Sequence, residues 1–386
     1  MKGIYLDHSA TTAVKREVLN EMIPYFCMQY GNPSSLYFLG RNAKRAIEKS
    51  REKVACAINC KPNEVYFTSG GSESDNLAIK GFCYANKNKG NHIITSKIEH
   101  PAVLNTCKRL EQKGYRVTYL NVDKNGFIDI NELKNVITNQ TILISIMMAN
   151  NEIGTIQNVK EIGMIAHSRN IVFHTDAVQA IGNIKIDVQE MNIDMLSMSA
   201  HKFYGPKGVG ALYVRCGLNF ERILDGGHQE RDKRAGTENV AGIVGLGKAI
   251  EISTYNLESY NKKLLILREY CISELNKNIK DIKINGDLDK RLPGNINVSF
   301  KDCDSSDILI ELDKAGIFAS GGSACSSGSS APSHVLMAIG LDREWIEGTI
   351  RITLGDENTK EDIDYLVKNL NMIITKLRME NKKEND

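Results

Sequence analysis

The stretch 193–210, Ile-Asp-Met-Leu-Ser-Met-Ser-Ala-His-Lys-Phe-Tyr-Gly-Pro-Lys-Gly-Val-Gly, decides the fold class. An apolar strand over 193–198 runs into Ser199-Ala200-His201-Lys202, and Gly205-Pro206-Lys207-Gly208 closes a tight turn. A short apolar run ended by Gly and Pro reads as a buried strand. Outward from it, helical and strand patterns alternate. Helices are expected over 40–58, 75–86, 101–113, 130–136, 159–168 and 239–255. Strands are expected over 65–68, 92–96, 116–120, 142–147, 171–175, 195–198 and 210–214. Such alternation implies an α/β fold with a mostly parallel sheet covered by helices. After residue 255 the character changes. A long amphipathic helix over 260–277 precedes short strands at 295–300 and 351–354, and a helix runs from 360 to about 379. The expected organisation is a large domain over 15–255 and a smaller α/β domain made of 1–14 and 256–386.

Ligands of open α/β sheets collect at the carboxyl ends of the strands. Ser69, His100, Asn150, Asn151, Asp176 and Lys202 all fall just after expected strands, which argues for one shared site. A strand-end lysine can form a Schiff base with an aldehyde cofactor. A strand-end aspartate, as in His174-Thr175-Asp176, can hold a protonated pyridine nitrogen. The two together are the pairing used by pyridoxal phosphate enzymes. Taken singly, each also reads as a solvated turn lysine or an ordinary aspartate. Ser69-Gly70-Gly71-Ser72-Glu73-Ser74-Asp75-Asn76 joins a strand to a helix expected to begin near Leu77. Its glycines and free amides suit a phosphate, and an ordinary capped connection reads equally well. His100, in Glu99-His100-Pro101, can stack on a flat ring or move a proton, or be structural. Arg351 on an apolar strand can clamp a carboxylate with two parallel bonds, or pair with a buried acid.

The loop Ser320-Gly321-Gly322-Ser323-Ala324-Cys325-Ser326-Ser327-Gly328-Ser329-Ser330 places one thiol among small polar residues that cannot bury it, and an exposed thiolate is reactive. The alternative is a linker with an incidental cysteine. The other cysteines, 8 of the 9, show no Cys-x-x-Cys pairing; Cys56 and Cys60 lack companion ligands, so spacing argues against zinc. Cys27, Cys83, Cys107 and Cys271 lie in apolar helical contexts and are expected to be buried.

The 386 residues leave room for two domains and a large core. With 42% hydrophobic and 25% charged residues, the composition is that of a globular protein. A formal charge of +2 offers no electrostatic case for nucleic acid or a membrane surface. No apolar run reaches the length of a span, and the first residues lack a signal-peptide pattern. A cytoplasmic location is the expectation.

Together, segments 6–12, 31–35, 67–76, 99–104, 150–155, 176–180, 199–210, 236–240 and 323–327 resemble the NifS/IscS-type cysteine desulfurases of the class V aminotransferase group, in the expected order along nearly the whole chain. The resemblance implies the aspartate aminotransferase-like fold type I and a pyridoxal 5'-phosphate cofactor carried on Lys202. It implies that Asp176 pairs with the pyridine nitrogen, Gln179 contacts the ring hydroxyl, His100 stacks on the ring, and Asn151 lies near it. Gly71, Ser72, Ser199 and His201 would hold the phosphate, joined by Thr237 of the neighbouring subunit of a homodimer with shared sites. Arg351, with Asn151 nearby, would hold the L-cysteine substrate. Lys202 would take the α-proton, His100 would assist with a proton, and Cys325 would carry the sulfur as a persulfide. Alanine would be the product. The sulfur acceptors implied are an IscU/NifU-type iron–sulfur scaffold, a tRNA-thiolation enzyme, or both, with Cys325 as a transient iron–sulfur ligand. The chain departs from the family at Tyr37, where histidine is frequent, and at Ala13, where proline is frequent. Two rivals stand beside this reading. One is a small-molecule aminotransferase, which needs no thiol, and the other is a non-enzymatic scaffold that uses Cys325 as a ligand.

Overall fold

The computed structural model describes residues 3–321 and 332–385. Seven strands form the main sheet: β2 (Val65–Thr68), β3 (His92–Ser96), β4 (Arg116–Leu120), β5 (Thr141–Ser145), β6 (Val172–Asp176), β7 (Met195–Ser199) and β8 (Gly210–Val214). Their order is β2-β8-β7-β6-β5-β3-β4. All neighbours pair in parallel except β8, which runs against both β2 and β7. β3, β5, β7 and β8 are buried along their whole length, as expected of a sheet with helices on both faces. One layer of core packs Val54 and Ile58 of the Phe38–Ile58 helix, with Leu246 and Ile250 of the Val240–Tyr255 helix, against Phe173, Leu196 and Met198. A second layer packs Leu77, Val103, Cys107 and Leu110 against Ile93, Leu143 and Leu212.

A smaller antiparallel sheet follows in the order β12-β13-β10-β9, from β9 (Ile282–Ile284), β10 (Asn295–Phe300), β12 (Ser320–Gly321) and β13 (Thr349–Thr353). The first described strand, β1 (Ile4–Tyr5), pairs in parallel with β11 (Ile317–Phe318). Asp7 then bridges to Thr353. Leu6 thereby joins the apolar cluster of Ile296, Val298, Ile350 and Ile352 with the helices Leu257–Asn278 and Lys360–Asn385.

Element types agree with the expectation, and two placements differ instructively. The helix expected from 75 starts at Gly71, continues through a wide π-type turn over Leu77–Gly81, and ends at Ala85. Its first turn is entirely Gly, Ser, Glu, Asp and Asn, so apolar periodicity cannot see it. Polar bonds build it instead. Glu73 Oε2 accepts the Ser69 N–H at 2.9 Å, and the Thr68 and Ser74 hydroxyls meet at 2.8 Å. Cys83, Cys107 and Cys271 are buried as expected, but Cys27 is exposed. It ends the short Pro24–Cys27 helix, which buries none of its residues, so an apolar neighbourhood in sequence did not become a core in space.

Candidate active site

At the carboxyl ends of the parallel strands lies a cavity of about 260 Å³ lined by sixteen residues, Lys202, Asp176, His100 and Arg351 among them. Gly71, Ser72, Asn151, Gln179, Ser199 and His201 line it too. Thr237 does not; it is exposed on the segment before the Val240–Tyr255 helix. Cys325 lies outside the described residues.

β6 delivers Asp176 as its last residue, and the Val178 N–H donates to Asp176 Oδ1 at 2.8 Å. Burial pushes this carboxyl up, while His100, that N–H and Lys202 pull it down; burial wins. Asp75, fully buried beside it, is held well above the usual carboxylate range by burial and by the Asp176 charge. Burial thus disfavours the charged form of both carboxyls, and an incoming cationic group beside them would favour their ionisation.

His100 caps the Pro101–Glu111 helix. Its Nδ1 accepts the Ala102 N–H at 3.1 Å, with Pro101 in the first helical position where no N–H is needed. Burial keeps the ring below its ordinary pKa despite the pull of Asp176. His201 is likewise lowered, to about 4, by burial and by Lys202 and Lys207, so it acts here as a neutral ring, with Nδ1 3.2 Å from Thr11 Oγ1. His174, between Ser145 Oγ at 2.8 Å and Ser197 Oγ at 3.0 Å, is lowered to about 3 by burial and stays neutral under the sheet.

Lys202 follows β7 in a short 3-10 turn, and its Nζ donates to the main-chain oxygens of Ser9 and Ala10, the latter at 2.9 Å. Gln179 Nε2 donates to the same Ser9 oxygen at 3.0 Å. Arg351 is almost wholly buried. Its Nη2 donates to Asp7 Oδ1 at 2.8 Å and its Nη1 to Asn151 O at 3.0 Å, while Nε has no hydrogen-bond partner. The ion-pair reading of Arg351 is realised through Asp7, and the same side chain lines the cavity.

The family model for class-V aminotransferases matches residues 4–366. The chain belongs to the class-V aminotransferase family. Within it, the chain falls in the IscS/NifS cysteine desulfurase group. Cysteine desulfurase IscS of Clostridium botulinum is 55% identical over 379 residues, covering 98% of this chain and 96% of that protein. Cysteine desulfurase IscS of Methanosarcina thermophila is 54% identical over 377 residues, covering 98% and 93%. A solved NifS-like protein superposes with a TM-score of 0.91 at 40% identity, covering 97% and 99%. The mostly parallel sheet with its reversed β8 is accordingly the fold type I arrangement.

The residues of this class-V site fit a pyridoxal phosphate. Asp176 offers a buried acid for a ring nitrogen, and Lys202 an amine for the aldehyde. Gly70, at φ +150°, leaves open space beside the Ser199 hydroxyl. A Cβ on Gly71 would come within 2.6 Å of Val178 Cγ2, so this position has no room for a side chain, leaving the backbone free to approach a phosphate. Sequence reasoning assigned no role to Asp7, Ser9 and Ala10, although the family resemblance already included 6–12. A run such as Asp-His-Ser-Ala-Thr-Thr carries no periodicity, and two of these three positions act through main-chain oxygens that residue types do not reveal.

Proposed function

We propose that this chain is a pyridoxal phosphate-dependent cysteine desulfurase that converts L-cysteine to L-alanine and passes the sulfur on through a Cys325 persulfide. The observation that carries the reading is the convergence of Lys202, Asp176, His100 and Arg351 on one cavity, in a chain more than half identical to a curated IscS. When bound, pyridoxal phosphate supplies an electron sink for charge developing at the substrate Cα. Lys202 holds it and, once released, takes the α-proton. Asp176 would pair with the ring nitrogen, Gln179 would contact the ring hydroxyl, and His100 would stack on the ring and help with a proton. Gly71, Ser72, Ser199 and His201 bind the phosphate, with Thr237 contributed by the partner subunit. Arg351, near Asn151, orients the substrate carboxylate.

The Cys325 thiolate attacks the substrate sulfur. An S–S bond forms as the C–S bond breaks, the electron pair stays with the substrate β-carbon, a proton adds there, and return of a proton to Cα completes alanine. Supporting this, the chain on either side of the Cys325 segment is tied down near the cavity. Ser320 pairs with Arg351 across β12 and β13 and donates to Asp7, while Ser333 donates to Glu152 and His334 meets the Glu99 oxygen. The division into a 15–255 body and a unit of 1–14 with 256–386 belongs to the same reading, supported by their separate apolar cores.

Phe26, Met28, Tyr30, Leu36, Tyr37 and Phe38 are exposed in succession, which supports a homodimer that covers them. The acceptors in this reading are an IscU/NifU-type scaffold or a tRNA-thiolation enzyme, with Cys325 a transient iron–sulfur ligand. Among the described residues no helix is long and apolar enough to cross a membrane, and a cytoplasmic setting suits the reading.

The test is direct. Lys202→Ala should lose alanine formation, and borohydride reduction of the parent enzyme should tag the peptide containing Lys202. Cys325→Ala should keep bound cofactor yet lose persulfide transfer. A tag elsewhere, or normal sulfur release by Cys325→Ala, refutes the assignment.

A further inference from the structure

Adjoining the reaction cavity at Lys202 lies a void of about 30 Å³ lined by His8, Thr12, Gln179, Asn183, Lys202 and Asn295 among others. It shares Ser9, Gln179 and Lys202 with the reaction cavity. It shares Asn183, Lys202 and Tyr260 with a further cavity of about 270 Å³, which Lys15 and Asp356 also line. Lys202 is thus the common wall of three adjoining spaces.

Two buried side chains facing the small void have unmet polar atoms. His8 is 7% exposed and its ring nitrogens make no hydrogen bond of good geometry, Nε2 lying 3.5 Å from Glu357 Oε1; Asn295 is 2% exposed and its Oδ1 has no partner. Buried polar atoms left bare are costly, and a polar void of this size holds a water when two to four partners line it. His8, Thr12, Gln179 and Asn295 supply such a set.

His8 also has an outlet. Its Nε2 lies 3.5 Å from Glu357 Oε1, and the Glu357 side chain is 49% exposed. The other ionisable groups around the ring are Tyr5, Asp7, Tyr204, Tyr260 and Lys202. Burial lowers the ring's pKa while Glu357 and Asp7 raise it, so the net effect leaves a neutral ring able to accept a proton.

We propose that this void holds water that carries protons between Lys202 and solvent, with His8 as the relay and Glu357 as its outlet. A proton on Lys202 Nζ passes to the water, the water gives one to a His8 ring nitrogen, and His8 hands one to the Glu357 carboxylate and bulk solvent. No electrons change hands. His8 is a positioning and relay residue rather than a catalytic one, and the inference rests on Lys202 being the group that takes the α-proton.

The test follows label rather than rate. The holoenzyme converts α-deuterated L-cysteine in ordinary water, and mass spectrometry reads the deuterium retained in alanine. In the parent, the relay exchanges the Lys202 proton with solvent and retention is low. His8→Asn, which keeps a polar side chain but cannot relay, and His8→Phe, which also fills the void, should both raise retention severalfold, and Glu357→Gln should raise it less. Selectively ¹³C-labelled histidine gives a second readout free of turnover. The resonance missing from His8→Asn should titrate in the parent and shift its midpoint downward in Glu357→Gln. Unchanged retention in both His8 variants overturns the proposal, as does a rise in His8→Phe alone, which leaves the ring no part. Loss of alanine formation in Lys202→Ala with unchanged retention in the His8 variants rejects the relay and leaves the desulfurase reading standing. Alanine formed at the parent rate by Lys202→Ala rejects that reading itself.

Discussion

Replacing Arg351 by lysine separates carboxylate recognition from the rest of the site. The guanidinium has five N–H donors. Asp7 takes one on Nη2 and Asn151 O takes one on Nη1, and Nε has no partner. With Nε buried, one further N–H on each of Nη1 and Nη2 remains, enough for a two-bond grip on a substrate carboxylate. A lysine ammonium has three donors in all and no fork. If it keeps Asp7, it reaches a carboxylate with one bond where arginine makes two. A hydrogen bond to a charged group contributes about 1.5–3 kcal/mol. At 1.4 kcal/mol per tenfold, losing one predicts a fall in kcat/KM of about 10- to 100-fold for Arg351→Lys. The carboxylate takes no part in bond breaking, so the loss should sit in KM, with kcat nearly unchanged. Alanine formation measured against L-cysteine concentration gives both constants. Cysteamine, which has no carboxylate, provides the control: its spectral binding change should occur at the same concentration in parent and variant. A kcat/KM within about threefold of the parent would refute the clamp, because that is well under one charged hydrogen bond. A fall confined to kcat would refute it as well.

Two further outcomes follow from the same geometry. Glu99 is fully buried, and burial raises it to about 8 although Ser96 Oγ and the Met147 N–H donate to its Oε1 at 2.6 and 3.0 Å. Unfolding restores an ordinary carboxyl that releases its proton, so the contribution of Glu99 to stability is full below the unfolded pKa of 4.5 and is lost as pH rises toward about 8. Glu99→Gln, whose Oε1 can still accept both bonds, should flatten the denaturant-midpoint profile between about pH 5 and 8 relative to the parent; parallel profiles would contradict the assignment. For Gly71→Ala, the added methyl meets Val178 Cγ2 at 2.6 Å. Overpacking of this kind costs about 1–3 kcal/mol. If it falls on the bound state, pyridoxal phosphate should be lost on dialysis faster than from the parent, with the far-ultraviolet dichroism unchanged.

Much of the fold could be read from the chain because burial and period coincide in the main sheet. β3, β5 and β7 are each five buried residues ending at a polar position, and the expected strand ends fell within two residues of the observed ones. The same rule located the site: a polar residue directly after a buried run is a side chain at the sheet's carboxyl edge, which is where Asp176, His100 and Lys202 stand. What escaped was held together by polar contacts instead of apolar ones. β1, β11 and β12 are two residues each, too short for any pattern. The Gly71 helix start is made of side-chain and main-chain polar bonds, and Cys27 shows the reverse error, apolar neighbours without a core.

The segment 4–12 explains why the chemistry and the small sheet cannot be separated. β1 pairs with β11 and Asp7 bridges to Thr353, so the segment is tied to the smaller sheet. Yet the Ser9 and Ala10 oxygens receive Lys202 Nζ, the Ser9 oxygen receives Gln179, the Thr12 N–H donates to His201 O at 2.9 Å, and Thr12 Oγ1 accepts the Tyr204 N–H at 2.8 Å. Any displacement of the small sheet that carries these residues along must therefore pull acceptors away from Lys202, while Asp7 and Arg351, both tied to β13, stay together. In the proposed reading Lys202 is released and recaptured in each turnover, and such an amine is best held by neutral main-chain oxygens. These stabilise an ammonium without the cost of separating a buried carboxylate pair, which amounts to about 3–5 kcal/mol. Arg351, which never has to let go of its scaffold, is by contrast anchored by a full charge on Asp7. The different acceptors of the two cations thus follow from the different demands the reaction makes on them.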